Sequence, residues 1–273
     1  MFIEVSIQTH SQEMIELLIA ELAEVGFESF VENENCLQAY IAADIFDEGL
    51  LIDLQQAYDF SYEQQVIEKT NWNEEWEKNY QPVEVADKVR VRAIFHEPNP
   101  KFGYEILITP KMSFGTGHHE TTSLMLETQL ELLYEGKRVL DAGCGTGILA
   151  IMAFLLGAKE VEAFDNDEWA IENTEENIQL NKASNIRAFL GTIENVLYEG
   201  NRYGIILANI NKNVLLKDIP SYAQVLEAKG DLLLSGFYEA DVVEIEAVAK
   251  LNSLSVVGKK MKNNWVALHL KKS

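Results

Sequence analysis

Residues 139–149 read Val-Leu-Asp-Ala-Gly-Cys-Gly-Thr-Gly-Ile-Leu, an apolar strand, a turn with three alternating glycines, and the apolar start of a helix. A second apolar strand follows and ends in Asp165, twenty residues after Gly145. Together they make a nucleotide-binding βαβ unit, whose glycines let the backbone approach a ligand closely. The spacing is G-x-G-x-G, and Ile148 stands where the third glycine of the dinucleotide fingerprint belongs. The expected cofactor is therefore S-adenosylmethionine rather than a dinucleotide. Gly143 and Gly145 would lie against it, and Asp165 would accept from both ribose hydroxyls. Asp141 reads two ways, as part of the cofactor turn or as a carboxylate that holds the turn through backbone N–H groups. Cys144 reads as a small turn side chain, because no base stands beside it to activate a thiolate.

Two further segments carry chemistry. Residues 112–122, Met-Ser-Phe-Gly-Thr-Gly-His-His-Glu-Thr-Thr, form a glycine-flanked loop that runs into a helix. Such a loop can fold over a bound cofactor, with hydroxyls near its polar atoms and Phe114 on an apolar part. Thr121 and Thr122 also suit the first turn of a helix. His118 and His119 invite a metal, but no partner ligand follows at the spacing a helix would need, so none is expected. Residues 205–209, Ile-Ile-Leu-Ala-Asn, form an apolar strand that ends in Asn209. The carboxyl edge of a parallel strand is where doubly wound folds place reacting groups. There the Asn209 carbonyl can accept a hydrogen bond from an amine nucleophile and orient it; the alternative is an asparagine that makes a turn. The proline and aromatic of the N-P-P-Y strand ends that clamp planar amides and bases are missing.

These segments need a scaffold, and the chain can supply one. It has 273 residues, 47% of them hydrophobic, enough for two domains. Two cysteines far apart, Cys36 and Cys144, suit a reducing cytoplasm. No apolar run is long enough to span a membrane, and the first residues carry no signal-peptide pattern. The formal net charge of −22 argues against nucleic acid as the main partner. It suits a basic macromolecule steered in by the acidic surface, or it confers solubility alone.

Periodicity places the elements. Ile3, Val5 and Ile7 alternate as a strand, and Thr9 with Gln12 resembles a capping box before the stripe Met14, Leu17, Leu18, Leu22, Val25. Strands at 27–32 and 36–42, a helix at 46–58 and an extended segment at 60–68 complete β-α-β-β-α-β, a ferredoxin-like domain over residues 1–68. Residues 69–82 carry Trp72, Trp76 and Tyr80 at helical spacing and read as a helical linker or as the first helix of the next domain. From 83 to 273 the pattern is α/β. Strands at 88–94 and 104–108 and a helix at 120–133 precede strands at 138–141, 160–165, 186–190, 203–209 and 231–236. Helices at 147–156, 168–180, 211–226 and 239–251 alternate with them, and strands at 254–260 and 264–270 close the chain. Parallel βαβ units that close with a hairpin fit a Rossmann-like seven-stranded methyltransferase domain.

At these residues the chain resembles the bacterial PrmA family, which methylates the large-subunit ribosomal protein L-eleven. The resemblance runs nearly end to end through Asn71-Trp72-Asn73-Glu74-Glu75-Trp76, Phe114-Gly115-Thr116-Gly117, the glycine turn, Asn209-Ile210 and Asn264-Trp265-Val266-Ala267-Leu268. It implies that Thr122, Gly143, Asp165 and Asn209 contact S-adenosylmethionine. It also implies that residues 1–68 recognise the protein substrate, and that lysine side chains and the terminal α-amine are methylated. His118 and Glu120 depart from the threonine and proline common in the family. The expected partner is thus a basic ribosomal protein, met by a cytoplasmic monomer without membrane or direct nucleic-acid contact. The competing readings are a methyltransferase of another protein or of RNA, an NAD-dependent dehydrogenase, and a module that binds cofactor without turnover.

Overall fold

The alternation of Ile3, Val5 and Ile7 becomes strand β1 (Phe2–Gln8) in the computed structural model, with Val5 and Ile7 fully buried. The structure describes residues 2–9, 11–33, 36–58, 60–67, 81–109 and 120–273. The chain divides into two compact units, Met1–Asn79 and Tyr80–Ser273. In the first, β1 is followed by α1 (Gln12–Glu24), β2 (Ser29–Asn33), β3 (Cys36–Ala42), α2 (Glu48–Tyr58) and β4 (Ser61–Ile67). The antiparallel sheet order β4-β1-β3-β2 is the ferredoxin-like one. Leu18, Leu22 and Leu51 from the helices meet Val5, Leu37 and Ile41 from the sheet in its core. The cap of α1 differs from the expected Thr9–Gln12 box. Ser11 is the capping residue and accepts from the Met14 N–H at 3.4 Å, because the helix starts at Gln12.

The second unit opens with β5 (Val83–Val85), β6 (Val89–Ala93) and β7 (Tyr104–Ile108). These form a small sheet in which β6 and β7 run parallel. The expected linker at 69–82 lies outside the described residues except for Gln81 and Pro82. Then come α3 (Glu120–Gln129), β8 (Arg138–Ala142), α4 (Ile148–Leu155), β9 (Glu160–Asp165), α5 (Glu168–Leu180) and β10 (Ile186–Leu190). They are followed by α6 (Ile193–Glu199), β11 (Tyr203–Asn209), α7 (Lys212–Val225) and β12 (Leu226–Tyr238). Helix α8 (Val242–Leu251) and strands β13 (Leu254–Lys262) and β14 (Trp265–Lys272) end the chain.

The large sheet has the order β10-β9-β8-β11-β12-β14-β13, parallel from β10 to β12 and antiparallel at β14. Its strands are apolar on both faces, because each face is covered by helices. Val139, Ile205 and Leu207 pack to one side, while Leu140, Ile206 and Ala208 pack to the other. Asn263 and Asn264, with φ of 49° and 66°, supply the left-handed pair that a two-residue hairpin turn requires between β13 and β14.

Four expectations change here. Helix α6 is seven residues long, too short for periodicity to reveal, and Thr192 with Asn195 caps it reciprocally. Strand β12 begins at Leu226 instead of 231, because a register shift against β11 accommodates the polar run before Asp231. The first turn expected of the last helix is a 3₁₀ turn at Glu239–Asp241, and α3 ends at Gln129. Among the described residues no helix is long and apolar enough to cross a membrane.

Candidate active site

The carboxyl ends of β8, β9 and β11 open into a cleft of about 520 Å³. Gly143, Gly145, Asp165 and Asn209 all line it, joined by Thr121, Ile210, Gly236 and Trp265. The cleft thus lies where strand order reverses across the β8–β11 pair, the switch point of a doubly wound sheet.

The glycine turn is built to leave space. Gly143 has φ of 71°, and its backbone N–H donates to the Phe164 carbonyl at 2.9 Å. A side chain there would be strained and would collide with the Ile210 side chain. Asp165 fixes the turn from the other side: its Oδ2 accepts from the Gly145 N–H at 3.0 Å, and Oδ1 accepts from the Asp167 N–H at 3.2 Å. Part of the carboxylate faces the cleft and can accept from vicinal hydroxyls.

Asp141 does not line the cleft. It is fully buried, and its Oδ2 accepts from the Ala150 N–H at 3.0 Å in the first turn of α4. That helix end attracts negative charge. Even so, burial raises the carboxyl to about 7, opposed by the Ala150 N–H and assisted by the charge of Asp165. Its Oδ1 has no hydrogen-bond partner among the described residues. Cys144 is buried against Thr174, at 3.4 Å from its hydroxyl, and burial first, then Asp141, pushes the thiol up. Both effects disfavour the thiolate that a nucleophile needs.

Asn209 combines two features. Its Nδ2 donates to the Thr122 hydroxyl at 3.4 Å, whereas its Oδ1 is buried with no hydrogen-bond partner among the described residues. The amide oxygen at the end of β11 is thus an acceptor that the described residues leave unused. Thr122 is itself fully buried behind Asn209, and Thr121 is the threonine on the cleft wall. Phe114, His118 and His119 lie outside the described residues. Among the described residues no cluster of side chains could hold a metal.

Sequence reasoning missed several site residues. Gly236 sits at a strand bulge with φ of 98°, and a side chain there would run into the Ile210 backbone carbonyl. A glycine inside an apolar strand was its only local signal. Trp265 packs on Tyr238 with ring centroids 4.0 Å apart. Behind the turn, Thr174 donates to the Gly145 carbonyl at 2.8 Å and Asn177 to the Thr146 carbonyl at 2.8 Å. Their three-residue spacing on α5 puts both on the face that packs under the turn. The cleft thus offers backbone close approach, a carboxylate twenty residues beyond the second turn glycine, and an amide whose carbonyl has no partner among the described residues. That donor and acceptor set fits a ribose-bearing amino-acid cofactor and an amine acceptor.

The model of the ribosomal protein L11 methyltransferase (PrmA) family matches residues 3–273. The chain is 43% identical to the "Ribosomal protein L11 methyltransferase" of Phocaeicola vulgatus over 98% of both chains. It is 44% identical to the protein of the same name from Porphyromonas gingivalis, over 93% of this chain and 89% of that one. Among solved structures, a ribosomal protein L11 methylase from Lactobacillus delbrueckii subsp. bulgaricus aligns with a TM-score of 0.65 and 27% identity, covering 71% of this chain and 99% of that one.

Proposed function

This chain belongs to the ribosomal protein L11 methyltransferase (PrmA) family, and from that premise we propose that it transfers methyl groups from S-adenosylmethionine to lysine and α-amines of that ribosomal protein. The observation that carries the reading is Asn209, a residue of the cleft floored by the glycine turn, whose amide nitrogen is held by Thr122 while its buried carbonyl has no hydrogen-bond partner among the described residues.

Gly143, Gly145 and Asp165 would hold the cofactor, and Thr121 and Trp265 line the cleft beside them. When bound, S-adenosylmethionine supplies a methyl group already activated by its sulfonium. The protein's task is then alignment, and holding two reactants in line can be worth roughly 7–11 kcal/mol. Asn209 accepts one N–H of the incoming amine and so points its lone pair along one axis. The amine must arrive neutral. At neutral pH that costs a lysine of pKa near 10.4 about 4–5 kcal/mol, but an α-amine near 8 only about 1 kcal/mol. Lysine therefore depends on a desolvating environment at the cleft mouth more than the chain terminus does. The ferredoxin-like unit is the candidate recognition module for the protein substrate. The net charge of −22 favours a basic ribosomal protein over RNA. A cytoplasmic site of action fits both.

The test is incubation with radiolabelled S-adenosylmethionine and purified ribosomal proteins and RNA, followed by mass spectrometry of the labelled product. Label on lysines and the α-amine of one small basic protein is expected. Label in RNA, or tight cofactor binding with no turnover on any protein, overturns the reading.

A further inference from the structure

Charge in this chain is divided unequally. Residues 1–68 hold fifteen aspartates and glutamates and no lysine or arginine, so all 22 of those cations lie beyond them. The same segment ends in an unguarded strand edge. Strand β4 is the outer strand of its sheet, and nothing among the described residues pairs with its far side. All seven of its residues pair with β1 in unbroken register, from Ser61 opposite Gln8 to Ile67 opposite Phe2. That leaves a regular row of outward backbone donors and acceptors about 23 Å long.

Edge strands are normally blunted by lysines, prolines or bulges, because an exposed ladder recruits other chains. The outer strand β13 of the large sheet follows that rule, with a register break between Val256 and Gly258 and with Lys259, Lys260 and Lys262. Strand β4, Ser-Tyr-Glu-Gln-Gln-Val-Ile, has no break, proline or lysine. Its side chains are uncovered as well. Glu63, Gln64, Gln65 and Val66 are all exposed, although they alternate between the two faces of the sheet. Val66 is 62% exposed on the face that carries the buried Val5 and Ile7, so even the apolar side of this edge lacks a neighbour. On the opposite face Gln65 donates to Glu4 at 2.9 Å, and Glu63 stands two residues away.

Charge decides what can pair there. Joining β4 to β4 of a second copy would bring together two Glu63 side chains and two wholly acidic segments, which repel. A basic strand meets attraction instead. We infer that β4 takes up an extended segment of the basic protein substrate as a fifth strand, with lysine or arginine beside Glu63 and an apolar side chain beside Val66. Backbone hydrogen bonds supply the attachment, and alternate side chains supply the selection. The inference rests on the substrate reading above and adds the residues at which that substrate is held. The single sign of the segment speeds encounter with a cationic partner and keeps copies of the enzyme apart.

Hydrogen exchange read by mass spectrometry, on the full-length enzyme alone and with ribosomal protein L11, tests this. Exchange over residues 61–67 should slow by about tenfold or more in the complex, since a bonded amide exchanges only when its strand opens. Glu63→Lys combined with Val66→Lys reverses the charge and installs the guard that β13 carries. Both positions are exposed, so the melting temperature should hold. The dissociation constant for the ribosomal protein should rise about tenfold, through a lost ion pair, a lost apolar contact and new repulsion. Glu28→Lys combined with Val31→Lys makes the same change in net charge at the opposite edge, and should matter far less. A complex with residues 61–67 unprotected, an undiminished affinity of the first double variant, or equal weakening by both overturns the inference and leaves the substrate reading standing. Protection of residues 61–67 in the enzyme alone as its concentration rises makes a second copy the occupant, and overturns the inference too. No complex between folded wild-type enzyme and ribosomal protein L11 overturns the substrate reading, and the inference with it.

Discussion

Asn177 joins Thr109 to the glycine turn: its Oδ1 accepts from the Thr109 N–H at 2.8 Å while its Nδ2 donates to the Thr146 carbonyl at 2.8 Å. Thr109 closes one run of described residues, and the next begins at Glu120. One fully buried amide therefore fixes both the glycine turn and the backbone just beyond β7. Asn181, one turn later, extends the grip by exchanging hydrogen bonds with both backbone groups of Leu107, at 2.9 and 2.6 Å.

Replacing Asn177 with Ala strands a buried N–H and a buried carbonyl. A loss of about 1–3 kcal/mol in chemical denaturation is expected, with a several-fold weaker cofactor dissociation constant. Unchanged values of both would mean that the turn holds itself.

Asn209→Ala should lower kcat about a hundredfold, the cost of a misplaced reactant, a far larger change than in the cofactor dissociation constant. Single-turnover kinetics alongside calorimetry separate the two quantities. Turnover at the wild-type rate with cofactor bound would rule out the orienting role.

Asp165→Ala should act on binding instead. It removes both the ribose acceptor and the anchor of the Gly145 N–H, with charge-assisted bonds worth roughly 1.5–3 kcal/mol each. At least a tenfold loss in cofactor affinity is expected by titration, and an affinity equal to wild type would move the ribose elsewhere.

Asp141 makes a prediction about pH. Its folded carboxyl lies near 7, above the unfolded value near 3.9. The native state therefore holds the proton that the unfolded state has lost, and wild-type stability falls from this group as pH rises from about 4 to 7. Asp141→Asn carries no such proton. Its stability relative to wild type should increase by at most about 1.4 kcal/mol per pH unit up to neutrality, then level off. Urea denaturation of both proteins at several pH values checks this, and a constant difference would refute it.

Gly236→Ala should disturb the fold next to the site. The added methyl meets the Ile210 backbone, which cannot swing away as a side chain would. A destabilisation of about 1–3 kcal/mol is expected, read as a lower melting temperature, and cofactor binding should fall with it. A melting temperature equal to that of wild type would show that Ile210 can yield.

The parts that could be read from the sequence are those whose chemistry is local. Three glycines in five residues declare left-handed backbone at the turn, and an apolar run that ends in Asp165 or Asn209 declares a strand tip. The ferredoxin-like order followed in the same way from periodicity. What could not be read depends on distant partners. Asp218 and Tyr222 look like ordinary polar and aromatic positions of an amphipathic helix until α6 and the strand tips close around them. Which of Thr121 and Thr122 faces the cleft depends on a helix rotation that neighbouring threonines cannot reveal. Trp265 reaches the site only because β14 lies beside β12 instead of at the sheet edge.

That placement of β14 sets an order for biosynthesis. Strand β13 leaves the translation machinery before β14 but has no neighbour in the sheet until β14 pairs with both β12 and β13. The cleft wall at Trp265 is therefore made after every other strand of the sheet. A nascent chain that already carries the glycine turn, Asp165 and Asn209 must still wait for residues 265–272 before the site is enclosed. Cofactor capture becomes a report on the finished sheet, and a ribosome-stalled chain that stops short of Trp265 should not retain it.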